Sequence, residues 1–99
     1  MVENKERKMQ IHDCIVKELY DLKSIAACIY LIERGRELEF SYNNVDYFIS
    51  SDRAEKNYSL WYEEKEQSFD SMEELMFGAV IGSKTLYQIW EEITLGVLY

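Results

Sequence analysis

The sequence predicts an α+β domain in which an N-terminal helical pair, a three-stranded antiparallel sheet and two C-terminal helices follow one another. Three observations predict it. Apolar residues recur every three or four positions at both ends of the chain and every second position in its middle. An Asn-Asn pair interrupts the alternating part, where a tight turn would join two strands. The 99 residues, 47% of them hydrophobic, suffice for one domain, residues 1–99, around a single core.

The first third of the chain predicts helices over residues 4–22 and 24–34. The apolar face of the first helix has a spacing of four, four and three residues and consists of Ile11, Ile15, Leu19 and Leu22. Ser24 is a favourable N-cap for the second helix, and Gly35 suits the position just after its end. The two helices form either a short hairpin or one long helix with a bend near Ser24.

A tight hairpin at Asn43-Asn44 is predicted between strands over residues 37–42 and 45–50. Asparagine tolerates positive φ, which both central residues of a type I′ turn require. A two-residue loop then fixes the register and places one set of apolar side chains on one face of the sheet. The predicted pairs are Tyr42–Val45, Phe40–Tyr47 and Leu38–Ile49.

A third strand is predicted over residues 57–63, with Trp61 on the face opposite the core. Phe48 lies on that same second face, among Glu and Ser residues. Two large aromatic side chains on a polar face have three explanations. A helix covers them, they form an ordinary cross-strand pair, or they anchor a partner protein.

Two helices, over residues 71–78 and 84–95, are predicted to complete the chain. Asp70 or Ser71 can cap the first, since each is followed three residues later by a glutamate. The second carries an apolar stripe consisting of Leu86, Ile89, Trp90, Ile93 and Val97.

Acidic residues dominate the second part of the chain. The net charge is −8, from 19 acids and 11 bases. Residues 1–36 hold six acids and seven bases, whereas residues 37–99 hold thirteen acids and four bases. The densest stretch contains one lysine, Lys65, and six acids: Glu63, Glu64, Glu66, Asp70, Glu73 and Glu74. Such a charge repels nucleic acid and anionic membranes and attracts basic protein surfaces, although part of it also suits the first turn of a helix.

No pattern in the sequence indicates catalysis, a metal site or a cofactor. His12 is the only histidine, no Cys-x-x-Cys pair occurs, and the four glycines form no phosphate loop. Cys14 and Cys28 fall in helical apolar patterns, which favours two reduced core thiols in a cytoplasmic protein over a disulfide. The longest apolar run, residues 25–32, is too short to span a bilayer. We therefore expect a binding protein rather than an enzyme.

Residues 31–43 with Tyr47, and residues 69–75 followed by 81–90, carry a resemblance to a known group of proteins. These segments resemble small acidic proteins of phages and mobile elements of low-GC Gram-positive bacteria, over about residues 28–93. The group is largely of unknown function, so the resemblance implies the fold more than an activity. Its genomic setting includes anti-CRISPR proteins.

These observations together predict a small acidic inhibitor, an anti-CRISPR that blocks the nucleic-acid-binding surface of an RNA-guided nuclease by charge mimicry. The expected contact residues are the six acids of residues 63–74, with Phe48 and Trp61 as apolar anchors. Two alternatives stay open: an immunity protein or antitoxin that neutralises a basic toxin, and a transcriptional regulator of the phage type. Direct nucleic-acid binding is disfavoured by the charge.

Overall fold

A computed structural model describes the backbone of residues 2–99 and the side chains of residues 11–99. Four helices, a five-stranded antiparallel sheet and a two-stranded hairpin make up an α+β fold. The elements are α1 (Val2–Leu22), α2 (Ile25–Glu33), β1 (Leu38–Tyr42), β2 (Val45–Asp52), β3 (Asn57–Tyr62), β4 (Lys65–Phe69), α3 (Met72–Gly78), β5 (Val80–Ile81), β6 (Lys84–Thr85), α4 (Leu86–Ile89), a 3₁₀ helix (Trp90–Glu92) and β7 (Thr94–Leu98). None of the helices described is both long enough and apolar enough to cross a bilayer.

The predicted hairpin at Asn43-Asn44 is confirmed, together with its register. Asn43 and Asn44 have φ values of 51° and 63°, as a type I′ turn requires. Strands β1 and β2 pair in the predicted way: Leu38 with Ile49, Phe40 with Tyr47 and Tyr42 with Val45. Turn chemistry and side-chain alternation therefore select the same pairing.

The sheet has five strands in the order β4-β3-β2-β1-β7, so the prediction of three strands was wrong. Strand β4 lies within the acidic stretch, where its only large apolar residue is Phe69. It is an edge strand, and its alternation is weak because most of its side chains face water. The sequence pattern alone therefore gave no strand signal there.

The predicted helix over residues 84–95 was also wrong. Thr85 caps α4 with a capping box that Gln88 completes, but the helix ends at Ile89 and continues as a short 3₁₀ turn. The buried residues of the predicted stripe are Leu86, Ile89, Trp90 and Ile93. Residues after Ile93 pair with β1 instead. The backbone hydrogen bonds to this strand stabilise the segment more than the helix that its apolar spacing would favour.

The N-terminal helices are two separate elements joined by a bend at Lys23, whose φ is 49°. The Ser24 hydroxyl accepts a hydrogen bond from the Ala27 N–H and caps α2, as predicted. Trp90 holds the bend from the other end of the chain, since its indole N–H donates to the Lys23 carbonyl at 2.7 Å. The Lys23 ammonium donates to the Glu91 carbonyl at 2.9 Å.

The core lies between one face of the sheet and the helices. Leu38, Phe40, Ile49 and Leu60 are its buried members from the sheet, and α2, α3 and α4 supply most of the others. Three residues predicted on the buried side of α1 are exposed: Ile11, Cys14 and Leu22. Helix α1 contacts the core through Ile15, Val16 and Leu19, a narrower strip of its surface than predicted, and Ile11, Cys14 and Leu22 lie outside that strip.

Gln67 ties the small β5–β6 hairpin to the edge of the main sheet. Its side-chain amide donates to the Val80 carbonyl and accepts from the Val80 N–H, both at 2.8 Å. These two bonds have the pattern of a pair of strand residues, with one side chain in place of a backbone. The hairpin is therefore fixed to β4 although the two sheets share no ladder.

Candidate binding surface

The face of the sheet opposite the core brings Phe48 and Trp61 together. We call it the open face. Its residues on β1 to β4 are Glu39, Ser41, Asp46, Phe48, Ser50, Asp52, Asn57, Ser59, Trp61, Glu66 and Ser68. Phe48 and Trp61 are direct cross-strand partners and both are half-buried. Of the three explanations, the cross-strand pair is therefore confirmed.

A single row crosses the open face with a carboxylate at each end. Glu66 is paired with Trp61, Trp61 with Phe48, and Phe48 with Glu39. Three strand spacings separate the two glutamates, or about 14 Å between their backbones. The aromatic pair therefore lies between two negative charges on neighbouring strands.

A groove of about 420 Å³ runs beside this row, and we call it the open-face groove. Its open-face lining comes from the ends of β1, β2 and β3 and from β7, and consists of Glu39, Ser41, Asp46, Phe48, Trp61, Glu63, Thr94 and Gly96. Three of these residues are acidic. No lysine or arginine is among the residues described as lining it. The rings of Phe48 and Trp61 thus form the floor of the groove, and the carboxylates of Glu39, Asp46 and Glu63 lie along its rim.

The carboxylates of the open face differ in how they are bonded. The Glu66 carboxylate accepts hydrogen bonds from the Ser59 and Ser68 hydroxyls at 2.6 and 3.0 Å. Asp46 and Glu63 are exposed and have no hydrogen bond or ion pair with any side chain that the structure describes. Their charges are therefore available to a partner, whereas that of Glu66 is partly satisfied within the protein.

Tyr99 crosses from the end of β7 onto the open face. Its hydroxyl donates to the Glu39 carboxylate, and its ring packs edge-on against Phe48 with centroids 6.0 Å apart. The hydrogen bond to Glu39 raises the pKa of Tyr99, because losing the proton would place two negative charges side by side. This contact orders one wall of the open-face groove.

The structure divides the acidic residues predicted to bind a partner. Glu66 lies on the open face, whereas Glu63 and Glu64 form the turn between β3 and β4, where Glu63 lines the open-face groove. Asp70 follows the far end of β4, about 14 Å from Glu66 along the strand direction, and Glu73 and Glu74 lie in the first turn of α3. There the Glu74 carboxylate accepts from the Asp70 N–H, and Ser71 caps α3 through the Glu74 N–H. These three acids belong to the start of a helix, so the six do not form one continuous surface.

Sequence reasoning missed Glu39 and Asp46. The signal was present, because the alternation that turns Leu38 and Phe40 toward the core turns Glu39 outward, and the same rule places Asp46 beside Phe48. The prediction rested instead on the density of acidic residues in the sequence, which is highest over residues 63–74. The carboxylates do not converge on a point either: no group of three or more metal-ligating side chains occurs among the residues described.

Comparisons of the chain with protein-family models, with curated proteins and with solved structures gave no match.

Proposed function

We propose that this protein is a small acidic inhibitor that acts by binding, and that its open face covers a basic, nucleic-acid-binding surface of a protein partner. The observation that carries the proposal is the open-face groove, where half-buried aromatic rings adjoin Asp46 and Glu63 without a compensating cation among the described residues. Aromatic side chains beside charged groups are typical of the energetically dominant part of a protein interface.

The charge of the chain supports a basic partner. A net charge of −8 repels nucleic acid and accelerates association with positively charged protein surfaces. The resemblance to proteins of phages and mobile elements favours an RNA-guided nuclease in the cytoplasm as that partner, and hence an anti-CRISPR activity. Such a nuclease holds its nucleic acids in a positively charged channel, which the open face would occupy.

The test uses two variants with the same change in net charge. In Asp46→Lys/Glu63→Lys both reversals lie on the rim of the open-face groove, whereas in Asp13→Lys/Glu33→Lys both lie on helices, at exposed positions. Binding of a guide-loaded nuclease to its target DNA is measured by mobility shift over a range of inhibitor concentrations. We expect the first variant to lose inhibition by at least about tenfold, since two attractions become repulsions.

The helical variant is expected to inhibit as the parent protein does, and equal thermal unfolding of both variants would exclude misfolding. Equal loss in the two variants would contradict the proposed face and indicate an effect of net charge alone. A shift of the DNA by this protein without nuclease would contradict inhibition and favour a regulator that binds DNA.

A further inference from the structure

We infer that the open-face groove receives an arginine side chain of the partner, a conclusion that rests on the proposed function and names the chemistry of its central contact. The groove combines two features that a guanidinium recognises. One is an exposed aromatic surface, and the other is a pair of carboxylates beside it.

The aromatic surface belongs to Trp61 and Phe48, whose edges are already engaged. The Trp61 indole N–H donates to the Ser50 hydroxyl at 3.0 Å, so its one polar group is satisfied within the sheet. The Phe48 ring meets Tyr99 in an edge contact. What the half-buried rings still offer to a partner is the negative electrostatic potential of a π face, which attracts cations.

The carboxylates lie on one side of these rings. Asp46 lies two residues before Phe48 on β2, and Glu63 follows the end of β3 in the turn to β4, so the antiparallel pairing of Phe48 with Trp61 places both acids at the same end of the rings. Both are exposed and line the groove. A cation seated on the rings would therefore have two carboxylates within reach at one end of the groove.

Arginine fits this arrangement better than lysine. Its guanidinium is planar and weakly hydrated, so it stacks on an aromatic face while its N–H groups bond to carboxylates in the ring plane. The lysine ammonium is a compact and strongly hydrated ion, and it gains less from the rings. The protein itself shows such a stack, with the Arg34 guanidinium carbon 3.4 Å from the centre of the Tyr30 ring.

The experiment titrates the full chain with an oligoarginine peptide and with an oligolysine peptide of equal length. Trp61 reports binding by fluorescence, because Trp90 is buried and bonded to Lys23. Calorimetry gives the affinities of variants that lack Trp61. We expect the arginine peptide to bind at least about fivefold more tightly than the lysine peptide.

Two variants locate the preference. Asp46→Asn/Glu63→Gln should weaken both peptides by about tenfold, whereas Asp13→Asn/Glu33→Gln, at exposed positions on α1 and α2, should leave both nearly unchanged. Trp61→Leu should abolish the preference for arginine while leaving charge-driven binding of both peptides. Equal affinities in the parent protein, or a preference that persists in Trp61→Leu, would overturn the inference.

The outcome is separable from that of the proposed function. Arginine-selective binding without inhibition of any RNA-guided nuclease would uphold the groove chemistry and refute the inhibitor. Inhibition that depends on Asp46 and Glu63 but shows no arginine preference would do the reverse.

Discussion

The reactivity of a side chain in this protein depends on whether it is buried or exposed, and the two cysteines show this most directly. Cys14 is exposed on α1, whereas Cys28 on α2 is fully buried. Burial raises the pKa of Cys28 to about 12, because a thiolate would lose its hydration in the core. Only a thiolate reacts readily with disulfide reagents.

We therefore expect one thiol to react at once with an aromatic disulfide at pH 8 and the second only as fast as the chain unfolds. Cys14→Ser should remove the fast phase and leave the slow one. If both thiols reacted at once, the placement of Cys28 in the core would be wrong.

The same burial fixes the sign of a pH effect. Since the folded state keeps the Cys28 proton at a pH where the unfolded state, with an ordinary pKa near 9, has lost it, this contribution to stability is complete below about pH 9. It declines as the pH rises from there toward the folded pKa.

Among the elements, β7 depends on a glycine for its position against β1. A Cβ at Gly96 would lie 3.0 Å from the Glu39 carbonyl oxygen and 3.3 Å from its carbon, both of them backbone atoms that cannot swing away. The register between the strands shifts at this point, so the approach is a bulge. A side chain there must push the strands apart.

Gly96→Ala should therefore lower the free energy of unfolding by about 1–3 kcal/mol. It should also speed amide hydrogen exchange along β7. Gly82→Ala is the matched control: a Cβ at Gly82 meets no described atom within 4 Å, although its φ of +65° makes alanine strained there. That variant should leave exchange in β7 unchanged, and equal effects of the two on β7 would contradict the close-approach account.

The elements that could be predicted are those whose local signals agree with their surroundings. At β1 and β2 the turn residues, the alternation and the burial all indicate one pairing. Helix α3 also followed from its cap, Ser71. Strand β4 could not be predicted, because it lies at the edge of the sheet, where polar residues are tolerated. Strand β7 could not be predicted, because it owes its conformation to pairing with β1, which is distant in the sequence.

The candidate site follows the same division. Phe48 and Trp61 were placed on one face correctly, since the period of two decides it. The acidic contact residues were predicted from the density of acidic residues along the sequence. Residues that are close in the sequence need not share a surface in the folded protein. Asp46 lies seventeen positions before Glu63, and yet both line the open-face groove, because antiparallel pairing brings the start of β2 next to the end of β3.

At the scale of the whole molecule, the two ends of the chain are held together through Trp90. Its indole N–H bonds to the Lys23 carbonyl, 67 residues away, at the bend between α1 and α2. Trp90 is also one of the largest fully buried side chains. The bend and the core thus depend on one residue from near the C-terminus.

Trp90→Phe keeps an aromatic ring but removes the N–H donor and part of the volume. We expect the free energy of unfolding in urea to fall by about 2–4 kcal/mol, from the unsatisfied carbonyl and the cavity together. Trp61→Phe, on the half-exposed open face, should cost less than about 1 kcal/mol. Comparable losses in the two variants would show that the Trp90 contact does not hold the helices.

The bond pair of Gln67 restricts what can stand at that position far more than its surroundings suggest. The side-chain nitrogen must donate to the Val80 carbonyl while the side-chain oxygen accepts from the N–H of the same residue. Glutamate would set a carboxylate oxygen against the Val80 carbonyl, and asparagine would fall one methylene short. Gln67 lies on an edge strand, where most substitutions are tolerated. Of the twenty amino acids, glutamine alone has a side chain of the length and bonding groups that this pair of hydrogen bonds to Val80 requires.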